Sequence, residues 1–201
     1  EPPEIPEQGT VRYKDKIYRY NSDIITLLLL GIDKSGDIET SYTAGKGGQA
    51  DTVILAVLDT KNKKFSFISV SRETMTEIEL YSVFGDAVCY ETAQLALSYA
   101  YGDNPQKSCE LTESAVSKLF YNLPIHGYFT LNESAIPVVN DMVGGVTLTL
   151  LDDFSAQDVS MVKGSELTLN GKQAEWYIRG RMGLDDDTNA SRMQRQRQYM
   201  N

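Results

Sequence analysis

Residues Ile24–Ile32, with the sequence IITLLLLGI, decide the fold of this chain. The run lacks the alternation of polar and apolar positions that a half-exposed strand shows, so it predicts a strand that is covered on both faces. Residues 52–58 and 65–70 form two further apolar runs, and the polar turn sequence 59–64 separates them. These two runs predict an antiparallel hairpin.

Helical and strand-like patterns interleave along the rest of the chain. Helices are predicted over residues 86–101, 110–123, 133–143 and 172–178, and a last helix has Thr188 or Asn189 as its N-cap. Strands are predicted over residues 125–131 and 146–151, with a candidate edge strand near Leu169. Residues 1–23 carry three early prolines and are interpreted as a spacer or an edge hairpin. Because strands and helices do not strictly alternate, the expected fold is α/β, with a mixed central sheet sandwiched by helices.

The composition narrows the class of protein. With 201 residues, 41% of them hydrophobic, the chain can form one substantial globular domain. A net charge of −9 argues against an extended nucleic-acid-binding surface, and no apolar run approaches the ~20 residues of a membrane helix. The single histidine argues against a zinc site. Cys89 and Cys109 are compatible either with one disulfide or with two buried thiols.

This acidic chain concentrates five arginines near its C-terminal end, namely Arg179, Arg181, Arg192, Arg195 and Arg197. Guanidinium groups stay charged at working pH and present forks of donors that match phosphate oxygens. On the predicted last helix, Arg192, Arg195 and Gln196 fall on one face, close to a helix N-terminus that favours anions. Together with Arg179 and Arg181, this face predicts a pyrophosphate clamp. The alternative is that neighbouring acids or solvent balance these charges.

Charged residues also mark the ends of the three predicted strands. Asp33 follows the first strand, Asp51 precedes the second, and Arg72 follows the third. If the first two strands are also antiparallel, all three residues lie at one end of the sheet, where ligand sites commonly form. The other interpretation is that these residues lie at strand ends only because water is there.

Several stretches together resemble the LytR–CpsA–Psr family of bacterial cell-wall proteins. They are Leu29-Leu30-Gly31-Ile32-Asp33, Ala50-Asp51-Thr52, residues 68–73 (ISVSRE), Ala100-Tyr101-Gly102, Gly144-Gly145-Val146, residues 177–181 (YIRGR) and residues 192–196 (RMQRQ). The last two are the most specific of the set. The resemblance extends over residues 27–196.

The resemblance implies an extracytoplasmic enzyme with an α/β/α fold, anchored by an N-terminal membrane helix. Such enzymes transfer a phosphate-linked glycopolymer, teichoic acid or capsular polysaccharide, from a polyprenyl-pyrophosphate carrier to peptidoglycan, and depend on Mg²⁺ or Mn²⁺. By position, Asp33 and Asp51 match the family's metal-associated aspartates. The residues that match its pyrophosphate contacts are Arg72, Arg179, Arg181, Arg192 and Gln196. We therefore expect residues 1–23 to be a spacer after a removed anchor, and residues 24–201 to be a C-terminally incomplete catalytic domain.

Phosphoryl transfer is the reaction that these residues suggest. A sugar hydroxyl would attack the pyrophosphate while arginines neutralise the developing negative charge. The predicted catalytic residues are Asp51, as general base, and Arg72, Arg179 and Arg181. A non-catalytic binder or sensor of polyprenyl pyrophosphate, and a lipid pyrophosphatase that uses water as acceptor, are the competing hypotheses.

Overall fold

The computed structural model describes residues 9–36, 39–81, 87–180 and 188–201. The strands in these residues are β1 (Thr10–Tyr13), β2 (Lys16–Arg19), β3 (Ile24–Ile32), β4 (Ala50–Asp59), β5 (Lys64–Val70), β6 (Met75–Tyr81), β7 (Ala87–Gln94), β8 (Gly127–Asn132), β9 (Val146–Thr149) and β10 (Glu166–Leu169). The helices are α1 (Ala96–Ala100), α2 (Pro105–Leu119), α3 (Ala135–Met142), α4 (Gly171–Arg179) and α5 (Asn189–Met200). The fold is α/β with a central mixed sheet and flanking helices, as predicted.

The chain divides into two compact units. The first contains the described parts of residues 1–30 and 39–129, and the second contains those of residues 31–38 and 130–201. The four-stranded sheet has the order β5-β4-β3-β8. Strands β4 and β5 pair antiparallel from Val53 opposite Val70 to Asp59 opposite Lys64, which confirms the predicted hairpin.

The core of the first unit forms because apolar side chains of its strands and helices point inward together. Leu28 of β3, Leu55 of β4 and Val116 of α2 are completely buried. Helix α1 packs against α2 and β4, and α2 also packs against β6. Burying a side chain of this size contributes about 1.5–3 kcal/mol. Strands β1 and β2 form an antiparallel hairpin.

The second unit packs three helices around the antiparallel pair β9–β10. Its core consists of Leu148, Leu150, Phe154, Met161, Leu169, Ala174 and Tyr177. Helix α4 begins with a capping box: Asn170 Oδ1 accepts from the Gln173 backbone N–H and Gln173 Oε1 accepts from the Asn170 N–H, each at 3.0 Å. Helix α3 is followed by Gly144 and Gly145, whose φ values of 83° and 86° favour glycine.

The helix predicted over residues 86–101 was wrong over most of its length. Residues Ala87–Gln94 form strand β7, which pairs antiparallel with β6, and only Ala96–Ala100 are helical. The spacing of Val88, Leu95 and Tyr99 fits a helix, but pairing with β6 satisfies the backbone of residues 87–94 instead. Strand β6 itself was not predicted.

Helix α2 begins at Pro105, five residues before the predicted start at Glu110. The Asn104 side chain accepts from the Lys107 N–H at 2.9 Å, and proline is well suited to the first helical position. Cys89 and Cys109 form no disulfide, and Cys89 is exposed on β7 whereas Cys109 is buried on α2. Among the residues that the structure describes, no helix is both long and apolar enough to cross a membrane.

Candidate functional site

Asp51 and Arg72 meet at one end of the β4–β5 hairpin. Asp51 lies in β4 two residues before the paired Val53, and Arg72 lies in the turn two residues after its partner Val70, the last residue of β5. Arg72 Nη1 donates a hydrogen bond to Asp51 Oδ1, and the two side chains are 25% and 21% exposed. The sequence prediction that these two residues share one end of the sheet is therefore confirmed. Their position leaves the pair accessible to a ligand without full exposure to solvent.

The Arg72 guanidinium is only partly satisfied by this pair. Its Nε is buried and meets no acceptor in the described part of the chain. A buried donor that makes no hydrogen bond costs about 1–3 kcal/mol, and more when it belongs to a charged group. An anion oxygen beside Nε would remove that cost. The geometry therefore favours the binding of an anionic ligand at Arg72.

Arg179, the last residue of α4, lies between two carboxylates of the second unit. Its Nη2 is 2.7 Å from Glu133 Oε2, and its Nη1 donates to Glu175 Oε1 at 2.9 Å. The hydrogen bond from Lys172, and then the one from Arg179, hold the pKa of the Glu175 carboxyl below its usual range. The Arg179 side chain is 41% exposed, so an anion can reach it but must compete with these acids.

The last helix, α5, begins where the sequence predicted. Thr188 is its N-cap, and the Thr188 hydroxyl accepts from the Ser191 N–H at 3.2 Å. The predicted shared face of Arg192, Arg195 and Gln196 is buried, with 4%, 1% and 8% exposure respectively. Arg192 Nη2 donates to Asn189 Oδ1 at 2.9 Å, which ties this arginine to the first turn of its own helix.

The Arg195 guanidinium, which was predicted to take part in a pyrophosphate clamp, makes contacts within the second unit. Its Nη1 donates to Asp152 Oδ2 and, at 3.0 Å, to Ser191 Oγ. Its Nε donates to the Tyr177 carbonyl at 2.9 Å, and its Nη2 donates to the Gly180 carbonyl. Each guanidinium nitrogen already has an internal acceptor. Phosphate oxygens would have to displace these acceptors in a site that solvent barely reaches.

Asp152 is the residue that the sequence interpretation missed. It is buried, and its carboxylate balances the Arg195 charge, although 43 positions separate the two residues. The local sequence Leu150-Leu151-Asp152-Asp153 indicates only an acidic turn after a strand. The one signal was the excess of arginine itself, because a buried guanidinium needs a counter-charge.

A comparison with protein families assigns the chain. The model of the LytR_cpsA_psr family matches residues 6–201. The chain belongs to the LytR–CpsA–Psr family. The match includes both groups of charged residues described above, and it confirms the resemblance that was drawn from the sequence.

Relatives of this LytR–CpsA–Psr chain carry the name polyisoprenyl-teichoic acid–peptidoglycan teichoic acid transferase. TagU of Bacillus licheniformis is 30% identical over 180 residues, which cover 90% of this chain and 51% of the relative. TagU of Bacillus subtilis is 30% identical over 188 residues, which cover 93% and 54%. The chain thus spans about half the length of these curated relatives.

Solved structures agree with this fold. The crystal structure of Bacillus subtilis TagV superposes with a TM-score of 0.66 at 27% identity, over 90% of this chain and 64% of TagV. The Lin1025 protein from Listeria innocua superposes with a TM-score of 0.62, also at 27% identity, over 89% and 63%.

The remaining predicted site residues of this LytR–CpsA–Psr chain concern metal and pyrophosphate binding. Asp33 is exposed just after β3, and Arg181 lies outside the described residues. In the described ranges, no group of three or more histidine, cysteine, aspartate or glutamate side chains is placed to hold a metal ion. Mg²⁺ commonly uses only one or two protein carboxylates together with waters and substrate phosphates.

Proposed function

We propose that this chain transfers a phosphate-linked glycopolymer from a polyprenyl-pyrophosphate carrier to peptidoglycan. The names of its relatives favour teichoic acid as the polymer, and capsular polysaccharide is the other candidate of the same chemistry. The proposed reaction takes place on the extracytoplasmic side of the membrane, with the protein held there by an N-terminal anchor.

The Arg72–Asp51 pair is the observation that carries this proposal. Arg72 combines a fixed orientation, given by its bond to Asp51, with a buried Nε that meets no acceptor in the described residues. A pyrophosphate oxygen beside Nε would complete the guanidinium's hydrogen bonds. Because the donor is already oriented, it stabilises charge that develops on the phosphate without reorganising during the reaction.

The proposed reaction breaks one bond and forms one. A hydroxyl oxygen of peptidoglycan attacks the phosphorus that carries the glycopolymer, and the bond from that phosphorus to the lipid phosphate breaks. Asp51 is the proposed acceptor of the hydroxyl proton. Arg72, Arg179 and Arg181 are proposed to stabilise the charge on the phosphates, and Arg192 and Gln196 to contact them.

Mg²⁺ or Mn²⁺ is part of this proposal. Asp33 and Asp51 are the carboxylates that would hold the ion, since hard divalent cations prefer oxygen ligands. When bound, the ion supplies charge neutralisation at the pyrophosphate.

Substitution of Arg72 by lysine tests the proposal. Lysine keeps a positive charge beside Asp51 but lacks the guanidinium fork and the Nε donor. In an assay that measures attachment of a lipid-linked glycopolymer to peptidoglycan, Arg72→Lys should lower the rate about 100-fold or more, as loss of an oriented donor does in other enzymes. Arg12→Lys, an exposed change on β1, is the matched control and should transfer normally. A normal rate for Arg72→Lys would contradict the role proposed for Arg72, and no attachment by the wild-type protein would contradict the proposed function.

A non-catalytic binder of polyprenyl pyrophosphate is the second candidate, and one contact favours it. The proposed base, Asp51, already accepts a hydrogen bond from Arg72, which suits a binding network. Asp51→Asn separates the candidates. If Asp51 is the base, the variant should bind lipid pyrophosphate but transfer no polymer. If the wild-type protein binds the lipid pyrophosphate and attaches no polymer to peptidoglycan, the hypothesis of a non-catalytic binder is correct. Release of the polymer into water would identify a pyrophosphatase.

A further inference from the structure

The C-terminal end of helix α4 is capped by side chains from another helix. The last carbonyls of a helix find no donor within the helix itself and need donors from elsewhere. Among the described residues, the Trp176 carbonyl receives a donor from its own segment, the Gly180 N–H at 2.7 Å. The Tyr177 carbonyl accepts from Arg195 Nε at 2.9 Å.

Two more carbonyls of the same segment are bound from α5. The Ile178 carbonyl accepts from Gln196 Nε2 at 3.4 Å, and the Gly180 carbonyl accepts from Arg195 Nη2. Gly180 has left the helical conformation, with φ −53° and ψ 135°, so Arg195 holds both the last turn of α4 and the first residue after it. A cation at this end also interacts favourably with the helix dipole.

Arg195 can perform this role because it is itself held in place. Its Nη1 is bound by Asp152 and Ser191, and its side chain is 1% exposed. If Arg195 turned to bind an anion, it would leave the Asp152 carboxylate buried without its counter-charge. The contacts therefore fit a fixed support for the helix end better than a ligand-binding residue.

We propose that Arg195 is a positioning residue that fixes the C-terminal end of α4, and with it the direction of Arg179. The inference rests on the proposed function, in which Arg179 contacts the substrate pyrophosphate. Arg179 is the last residue of α4, one position after the capped Ile178 and one before the capped Gly180. Loss of the two hydrogen bonds from Arg195 would let the last turn of α4 fray and would move the Arg179 side chain from its position.

Arg195→Lys is the first test variant, because lysine retains the charge opposite Asp152 but cannot reach two carbonyls with one nitrogen. Amide hydrogen exchange at Gly180 should become about tenfold faster, as expected for the loss of one or two hydrogen bonds. Exchange in the first turn, held by the Asn170 cap, should stay unchanged. The dissociation constant for inorganic pyrophosphate should rise about 10- to 100-fold, because a small displacement of the Arg179 side chain can have an effect of this size. Arg197→Lys, exposed on the same helix, is the matched control.

A second variant separates positioning from stability. The double change Asp152→Leu with Arg195→Met replaces the buried ion pair by apolar side chains, which commonly preserves or raises stability. It should melt near the wild-type temperature but show the same faster Gly180 exchange and the same weaker pyrophosphate binding. Normal Gly180 exchange in Arg195→Lys, or normal pyrophosphate binding in either variant while wild type binds, would overturn the inference. If wild type itself does not bind pyrophosphate, the proposed function fails, and the exchange result alone decides whether Arg195 holds α4.

Discussion

Removing one partner of the Asp152–Arg195 pair should cost more stability than removing one partner of an exposed ion pair such as Glu77–Lys118. Both side chains are almost fully buried, with 9% and 1% exposure. Removing one partner of a buried ion pair costs about 3–5 kcal/mol, because the other charge stays buried without compensation. The side-chain amide introduced by Asp152→Asn retains an oxygen that can accept from Arg195. We therefore expect a loss near the lower end of this range, about 3 kcal/mol.

Thermal unfolding followed by circular dichroism at pH 7 measures this loss. For a chain of this length, 1 kcal/mol corresponds to about 2–4 °C in melting temperature, so Asp152→Asn should melt about 6–12 °C lower. Glu77→Gln is the control, since the Glu77–Lys118 pair has side chains that are 55% and 34% exposed. Such a pair contributes about 1 kcal/mol at most, so the melting temperature of Glu77→Gln should fall by no more than about 4 °C.

The salt dependence should also differ between the two variants. Near 1 M NaCl, the Debye length falls to about 3 Å, so the exposed Glu77–Lys118 pair loses most of its contribution while the buried pair is little screened. The deficit of Asp152→Asn should thus persist at high salt. An Asp152→Asn shift no larger than the Glu77→Gln shift, or one that disappears in salt, would refute the reasoning.

Two further predictions concern the ends of helix α4. Asn170→Ala removes the capping box with Gln173 and should lower the free energy of unfolding by about 1 kcal/mol, or the melting temperature by about 2–4 °C. Asn170→Gly should lower the free energy of unfolding by only a few tenths of a kcal/mol. Equal losses in the two variants would exclude the capping explanation. Glu133→Gln removes a carboxylate that competes with an anionic ligand for Arg179. Calorimetry should therefore show about two- to fivefold tighter binding of inorganic pyrophosphate. Weaker binding would mean that Glu133 orients Arg179 instead.

Much of the fold could be predicted because burial leaves a local pattern. Strands β3, β4 and β5 are apolar runs of strand length, and the polar turn between β4 and β5 sets their pairing. Helix α4 was predicted from Asn170 and Gly171, and α5 from Thr188, because capping side chains bond to a backbone only three residues away. These are interactions between close neighbours in the sequence.

The hairpin of β6 and β7 was missed although a signal existed. In β6, the buried Thr76 and Ile78 alternate with the exposed Met75 and Glu77, which is the period of a strand with one covered face. Without β6, residues 87–94 had no visible partner, and their apolar spacing was assigned to a helix. Cross-strand pairing decides such segments, and one strand alone does not reveal it.

The contacts of the candidate site also divide into one that the sequence could predict and one that it could not. The Asp51–Arg72 contact followed from the hairpin register, so the sequence was enough to predict it. The Asp152–Arg195 contact joins a turn to a helix 43 residues later, and no periodicity connects the two. A helical wheel placed Arg195 on the correct face of α5, but it could not show that this face is buried.

The arginines of this chain differ in what their guanidinium groups already bind, and that difference determines how a loss of activity should be interpreted. Arg72 keeps a buried Nε that lacks an acceptor in the described residues, Arg179 is exposed between two carboxylates, and Arg195 is saturated by internal acceptors. An alanine substitution at any of them would lower transfer under our proposals, yet for different reasons. Loss of a ligand contact leaves amide hydrogen exchange at the end of α4 unchanged, whereas loss of a support makes that exchange faster. Only a measurement of the helix end itself distinguishes the arginine that holds α4 from those that hold the substrate.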